Sequence, residues 1–142
     1  MSLAQTFQRF ATKANTALYK RSSGKIGGRI KGVPIALLTV VGRTSGQLRT
    51  TPVCYFEDGA TYVLCGSAGG QEGDPQWFRN LRAASTATLQ VGGRTIACSV
   101  RIEDGGAERE RLWAKLIGVG PFFADYQKKT TRLMPFAVLT PN

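Results

Sequence analysis

Apolar positions recur along this chain at two spacings. Leu3, Phe7, Phe10, Ala14, Ala17 and Leu18 follow a helical period, with Arg9, Lys13 and Lys20 mostly off the stripe. That pattern predicts a basic amphipathic helix over residues 1–19, packed either on its own domain or on a membrane surface. "KRSSGKIGGRIKG" has no apolar period and reads as a flexible or anion-facing loop. From Pro34 the spacing changes. "PIALLTVV" (34–41), "PVCYF" (52–56), "TYVLCG" (61–66), "TATLQV" (86–91), "RTIACSVRI" (94–102) and a final "PFAVLTP" are short strand-like runs rich in β-branched residues. "EDGA" and Gly92-Gly93 supply hairpin turns. Helices are expected over "PQWFRNLRAA", with Asp74 as N-cap and Pro75 at the first helical position, and over "GGAERERLWAKLIGV", with Leu112, Leu116 and Trp113 facing inward. "GPFFADYQKKTTR" reads as a short helix plus loop. The sum is a mostly antiparallel, mainly β fold with peripheral helices. A small closed barrel is the economical way to remove its sheet edges. Residues 20–142 would form that domain, behind the 1–19 helix.

Charge changes the picture. The 142 residues carry 19 Lys and Arg against 9 Asp and Glu, a net charge of +10. No acid precedes Glu57, whereas Arg9, Lys13, Lys20, Arg21, Lys25, Arg29, Lys31, Arg43 and Arg49 all do. The N-terminal part therefore faces an anion: nucleic acid, anionic lipid or a phosphorylated small molecule. Nucleic acid fits poorly, because no interleaved aromatics or nucleic-acid motif accompany the charge. The absence of histidine excludes Ser-His-Asp and Cys-His catalysis, and no metal site is expected. Cys54, Cys65 and Cys98 stand apart inside apolar runs, which suits buried reduced thiols in a cytoplasmic protein. No stretch is long and apolar enough to span a bilayer.

"GRTSGQLRTTP" (42–52) is the candidate anion site. It offers the guanidinia of Arg43 and Arg49, the hydroxyls of Thr44, Ser45, Thr50 and Thr51, and two glycines that let backbone N–H groups turn toward an anion. It is not a Walker A loop, since no G-K-[ST] follows and a strand succeeds it.

"GRTSGQLRTTPVCYFEDGATYVLCGSAGG", then "PQWFRNLRA", "VGGRT" and "FADYQKKTTR", resemble the deazaflavin-dependent nitroreductase family, from about Lys20 to Pro141. The resemblance implies a split β-barrel of the flavin-reductase type and coenzyme F420, whose tail carries a phosphodiester and glutamates. It implies a hydride transfer from the reduced deazaflavin to an electron-poor quinone, enone or nitro compound. By the same resemblance Arg43, Thr44, Ser45 and Arg49 hold the tail, and Thr50, Thr51, Pro52, Val53 and Cys54 form the strand edge beside the ring. Cys65, Gly66, Ser67 and Ala68, and Gln76, Trp77, Phe78, Arg79 and Asn80, line the coenzyme further. Ala68 stands where many relatives have Lys. Gly120, Phe123 and Tyr126 match substrate-pocket tyrosines of relatives. Together with Phe122 they are expected to line a wider, more apolar acceptor pocket opened at Gly120. Tyr126 is its one hydroxyl donor and the candidate catalytic residue. The alternatives are an FMN-binding reductase on the same barrel and a non-catalytic lipid- or anion-binding module at the inner face of the cell membrane.

Overall fold

A computed structural model describes residues 16–22, 24 and 28–142. Residues 16–22 are helical (α1). Residues 1–15, most of the expected amphipathic helix, lie outside the described part. The strands are β1 (Arg29–Ile30), β2 (Val33–Val41), β3 (Leu48–Asp58), β4 (Thr61–Cys65), β5 (Thr86–Val91), β6 (Arg94–Glu103) and β7 (Phe136–Pro141). The helices are α2 (Gln76–Ala83), α3 (Gly106–Val119) and α4 (Phe123–Gln127), with a 3-10 turn at Ala68–Gly70.

All strand pairs are antiparallel, in the order β1-β2-β3-β4-β7-β6-β5, and β5 returns to β2 through Leu37↔Gln90, Leu38↔Leu89 and Thr39↔Thr88. Six strands thus close a barrel, and every one of them is paired on both sides. Strand alternation separates two cores. Ala36, Leu38, Val40, Val53, Tyr62, Leu64, Leu89, Cys98 and Leu139 point into the barrel, joined by Phe78 and Leu81 of α2. Phe56, Val63, Cys65, Phe136 and Val138 point outward from β3, β4 and β7, against Leu112, Leu116 and Phe123 of α3 and α4.

The structure departs from the sequence reading at four places. Strand β3 begins at Leu48, not Pro52, so half of the expected anion loop is strand, with Arg49 opposite Val40 and Thr50 opposite Thr39. The basic segment 20–32 is not wholly irregular: residues 20–22 are helical, and Arg29–Ile30 pair with Val33–Pro34 around a Lys31–Gly32 turn at φ 49° and 83°. Asp74 does not cap α2. Pro75 is the N-cap, and its ring has no acceptor to cap with, while the Asp74 carboxylate is engaged by Arg82 and Arg132 at 3.0 Å each. Gly120 is buried and opens nothing: a Cβ there would lie 2.8 Å from Val33 Cγ2 and 3.1 Å from Phe123 Cδ2. The residue is small because α3 ends against β2.

Tyr19 is 2% exposed. Its hydroxyl accepts from the Gly92 N–H at 2.8 Å and donates to the Gln90 carbonyl at 3.2 Å, so α1 is tied to the β5–β6 hairpin. Among the described residues no helix is long and apolar enough to cross a membrane. Tyr19→Phe removes both bonds and leaves the Gly92 N–H unpaired. It should cost about 1–2 kcal/mol in urea unfolding; wild-type stability in that variant would mean that α1 is not held by this contact.

Candidate functional site

The β2–β3 turn is built on glycine. Gly42 N–H donates to the Gln47 carbonyl at 2.8 Å, Gly46 N–H donates to the Gly42 carbonyl at 2.9 Å, and Gly46 sits at φ 71°. Ser45 Oγ accepts from the Gln47 N–H at 3.2 Å. Arg43 is fixed from α2. Asn80 Oδ1 accepts from the Arg43 backbone N–H at 3.1 Å and from Nη1 at 2.8 Å, and Gln76 Oε1 accepts from Nη2 at 2.8 Å. Asn80 is 7% exposed, so one buried amide oxygen aims the whole residue. Its partners are neutral, and the guanidinium keeps its full charge at the surface.

No carboxylate offsets that charge. Arg43, Arg49 and Arg79 are exposed, and none of them forms an ion pair among the described residues. Most acids are committed elsewhere. Asp58 takes Arg111 and Lys115, and these bonds hold its carboxyl well below the usual carboxylate range. Asp74 and Asp104 take Arg82, and Glu110 takes Arg109.

From the turn the wall continues without a break. The ring of Phe78, two residues along α2 from Gln76, presses on Gly66, where a Cβ would sit 2.8 Å from Phe78 Cδ2. Past Gly66 the chain enters the 3-10 turn. Gly70, at φ 87°, lies so close to α4 that a Cβ would be 2.5 Å from the Tyr126 carbonyl oxygen. Tyr126 packs edge-on to Phe122 and Phe123 at 5.7 and 5.6 Å between ring centres. Cys54, Phe122 and Tyr126 all border the outer core cluster. Segments 42–54, 65–70, 76–80 and 120–126, far apart in sequence, thus share contacts.

The individual side chains divide. Arg43, Thr44, Ser45, Arg49, Gln76 and Arg79 are exposed, and Thr50, Thr51, Pro52, Cys54, Ser67, Ala68 and Trp77 are partly so. Val53 lies inside the barrel, Cys65 in the outer core, and Phe78 in the barrel end with no exposure. These three side chains are packing, and Asn80 is support for Arg43. Phe123 is 3% exposed in the core, stacked on Phe122 at 4.5 Å, while the Lys31 ammonium covers Phe122 at 4.9 Å. The expected wide pocket at Gly120 is therefore filled by Val33, Phe122 and Phe123, and Phe122 and Tyr126 keep partial access. The Tyr126 hydroxyl makes no hydrogen bond to a described residue. Burial pushes the Cys54 thiol up to about 11 and the Cys65 thiol up to about 12, so neither is a nucleophile near neutral pH.

Two arginines that the sequence reading left without a role organise the site. Arg109, 2% exposed, donates from Nε and Nη2 to the Met134 carbonyl and from Nη2 to Gln127 Oε1, all at 3.1 Å. Its guanidinium also lies 4.8 Å from the Trp113 ring centre. A charge on the stripe of Leu112 and Leu116 was a legible anomaly. Arg132 binds the segment after β4, and nothing in its local sequence marks it. At the other end of the barrel a cavity of about 500 Å³ is lined by Tyr19, Arg29, Ile35, Tyr55, Val91 and neighbours, and contains no residue of the expected site.

The donor set fits an elongated polyanion: three unpaired guanidinia, the hydroxyls of Thr44 and Ser45, and an apolar edge at Pro52 and Cys54. A family model for F420H(2)-dependent quinone reductase matches residues 11–141. An F420H(2)-dependent quinone reductase of Mycobacterium tuberculosis (strain H37Rv) is 31% identical over 132 residues, covering 90% of this chain and 88% of that protein. The solved structure of an F420-H2 dependent reductase (FDR-A) superposes with a TM-score of 0.68 at 34% identity, covering 75% of this chain and 93% of the other. A Listeria innocua protein described as a putative pyridoxamine 5'-phosphate oxidase shares the split-barrel fold alone, with a TM-score of 0.55 at 13% identity over 76% of this chain and 83% of the other.

Proposed function

The chain belongs to the F420H(2)-dependent quinone reductase family, and from that premise we propose that it reduces a lipophilic quinone with a hydride supplied by coenzyme F420H2 bound along the wall from the β2–β3 turn to α4. The observation that carries this reading is the Arg43 clamp. A charged side chain is aimed by Asn80 and Gln76, with Arg49 and Arg79 also unpaired. In this reading Arg43, Arg49, Thr44 and Ser45 hold the coenzyme's anionic tail. Thr50, Pro52, Cys54 and the Ser67–Ala68 backbone border its ring, and Gln76, Trp77 and Arg79 flank it.

The coenzyme supplies the hydride when bound, and the protein supplies binding, orientation and shielding from water. A quinone that gains a hydride needs one proton to become the hydroquinone. Tyr126, with its hydroxyl free of partners among the described residues and its ring against Phe122, is the donor we assign. The packed aromatic corner favours an acceptor that buries a flat apolar ring, at about 25 cal/mol per Å² of apolar area. Quinones should therefore exceed small nitroheterocycles in kcat/KM.

Fluorescence titration with oxidised F420 and, separately, FMN tests the coenzyme assignment. F420 should bind far more tightly. Arg49→Ala should weaken it by about 1.5–3 kcal/mol, the range for a hydrogen bond to a charged group, with kcat at saturating coenzyme little changed. Tyr126→Phe should lower kcat for quinones and leave the F420 Kd unchanged. A preference for FMN, or nitroimidazoles outrunning quinones, contradicts the respective half of the proposal.

A peripheral contact with anionic membrane on the cytoplasmic side is part of the same proposal. It is supported by Leu18 and Ile30, 43% and 47% exposed, beside Lys20, Arg21, Arg29 and Lys31 in the acid-free part of the chain. Removing residues 1–15 together with Leu18→Ser and Ile30→Ser, changes that spare Tyr19, should reduce binding to phosphatidylglycerol vesicles and leave the F420 Kd unchanged. Equal vesicle binding by the full-length and shortened proteins would refute that contact.

A further inference from the structure

Arg132 makes more contacts to the 66–74 segment than any helix or strand does by hydrogen bonding. Its Nη2 donates to the carbonyls of Gly66 and Ser67 at 3.1 Å each, its Nε to the carbonyl of Gln71 at 2.8 Å, and its Nη1 to the Asp74 carboxylate at 3.0 Å. One planar fork thus gathers both ends of a nine-residue loop. The loop needs holding. Ala68, Gly69 and Gly70 lie at φ 48°, 64° and 87°, three successive left-handed residues, the first of them carrying a Cβ that disfavours it.

The consequence is electrostatic. The peptides are trans, so a C=O turned toward Arg132 turns the N–H of the next residue away from it. The Gly66 and Ser67 carbonyls face the guanidinium, so the N–H groups of Ser67 and Ala68 point to the opposite side. Neither makes a hydrogen bond to a described residue. Ser67 is right-handed (φ −76°, ψ −36°) and Ala68 left-handed, the alternation that curls successive N–H groups into an anion-binding concavity.

Arg132 is itself braced from the buried side. Gln127 Nε2 donates to the Arg132 carbonyl at 2.7 Å, and Gln127 Oε1 accepts from the buried Arg109. We infer that Arg132 is a positioning residue for the coenzyme: by holding the Gly66, Ser67 and Gln71 carbonyls it fixes the Ser67 and Ala68 N–H groups as donors to an electronegative group of bound F420. The inference rests on the coenzyme reading proposed above and adds to it the residue that shapes this part of the wall. Lysine would keep the charge and one contact but not the fork.

The test compares the wild type, Arg132→Lys, Arg132→Ala and, as a control that breaks an exposed ion pair elsewhere, Arg111→Ala. Each is measured at a temperature where near-ultraviolet circular dichroism shows it folded. The readouts are the Kd for oxidised F420 and amide hydrogen exchange of residues 66–74 without coenzyme. Both Arg132 variants should raise the Kd by about tenfold or more, from the loss of charge-assisted hydrogen bonds, and speed exchange in 66–74 while the barrel strands exchange as before. Arg111→Ala should change neither. Should Arg132→Ala fail to fold, Arg132→Lys alone decides. Wild-type Kd and exchange in a folded Arg132→Lys protein overturn the inference. Wild-type protein that does not bind F420 overturns the functional reading and this inference together, whereas tight wild-type binding with unaltered variants overturns the inference alone.

Discussion

The pairing of β5 back onto β2 is the constraint from which the site follows. It closes six strands into a barrel whose mouth, where β2 turns into β3, must be filled. Helix α2 fills it with Phe78 and Leu81, which join the interior core. With those two residues buried, the same helix presents Gln76 and Asn80 to the β2–β3 turn, and Arg43 is held there. The plug also presses Phe78 onto Gly66 and so sets where the loop after β4 must begin. Packing of the barrel mouth and placement of the surface cation are one arrangement, so core substitutions in α2 should be felt at the site.

A second constraint comes from charge. With 19 Lys and Arg against 9 Asp and Glu, cations outnumber the carboxylates that could each take one of them. The acids go where the architecture needs them: Asp58 ties the β3–β4 hairpin to α3 through Arg111 and Lys115, and Asp74 ties α2 to the loop before it. Of the guanidinia without an ion pair among the described residues, Arg43 and Arg49 lie on the β2–β3 turn and its strand and Arg79 on the helix that holds Arg43, while Arg21, Arg29 and Arg94 lie elsewhere. Exposed uncompensated charge of one sign repels itself, and a bound polyanion relieves that repulsion.

Much of this was legible in the residues. Short β-branched runs located six of the seven strands, and the glycine turns at 59 and 92 located two hairpins. The loop quoted for its arginines was read too long, because Arg49, Thr50 and Thr51 are polar yet lie in a strand at the barrel rim, where the inner face meets solvent. Asp74 looked like a cap because local pattern cannot show that Arg82 and Arg132 compete for it. Gly120 looked like a gap because a missing side chain in sequence does not reveal Val33 filling the space. Arg132 was hidden for a different reason: three of its four partners are backbone carbonyls about 60 residues away, and a carbonyl leaves no mark in the sequence.

The family fixes the coenzyme, but its seat on this chain is the central claim, and two places compete for it: the wall from Arg43 to Tyr126, and the cavity at the other barrel end beside Tyr19, Arg29 and Tyr55. A crystal structure of the complex with oxidised F420 decides between them most directly. The tail phosphate should lie against Arg43 or Arg49 and the ring system beside Pro52, Cys54 and the Ser67–Ala68 backbone. A coenzyme bound in the cavity beside Tyr19 and Tyr55, with the Arg43 guanidinium free of it, would contradict the account.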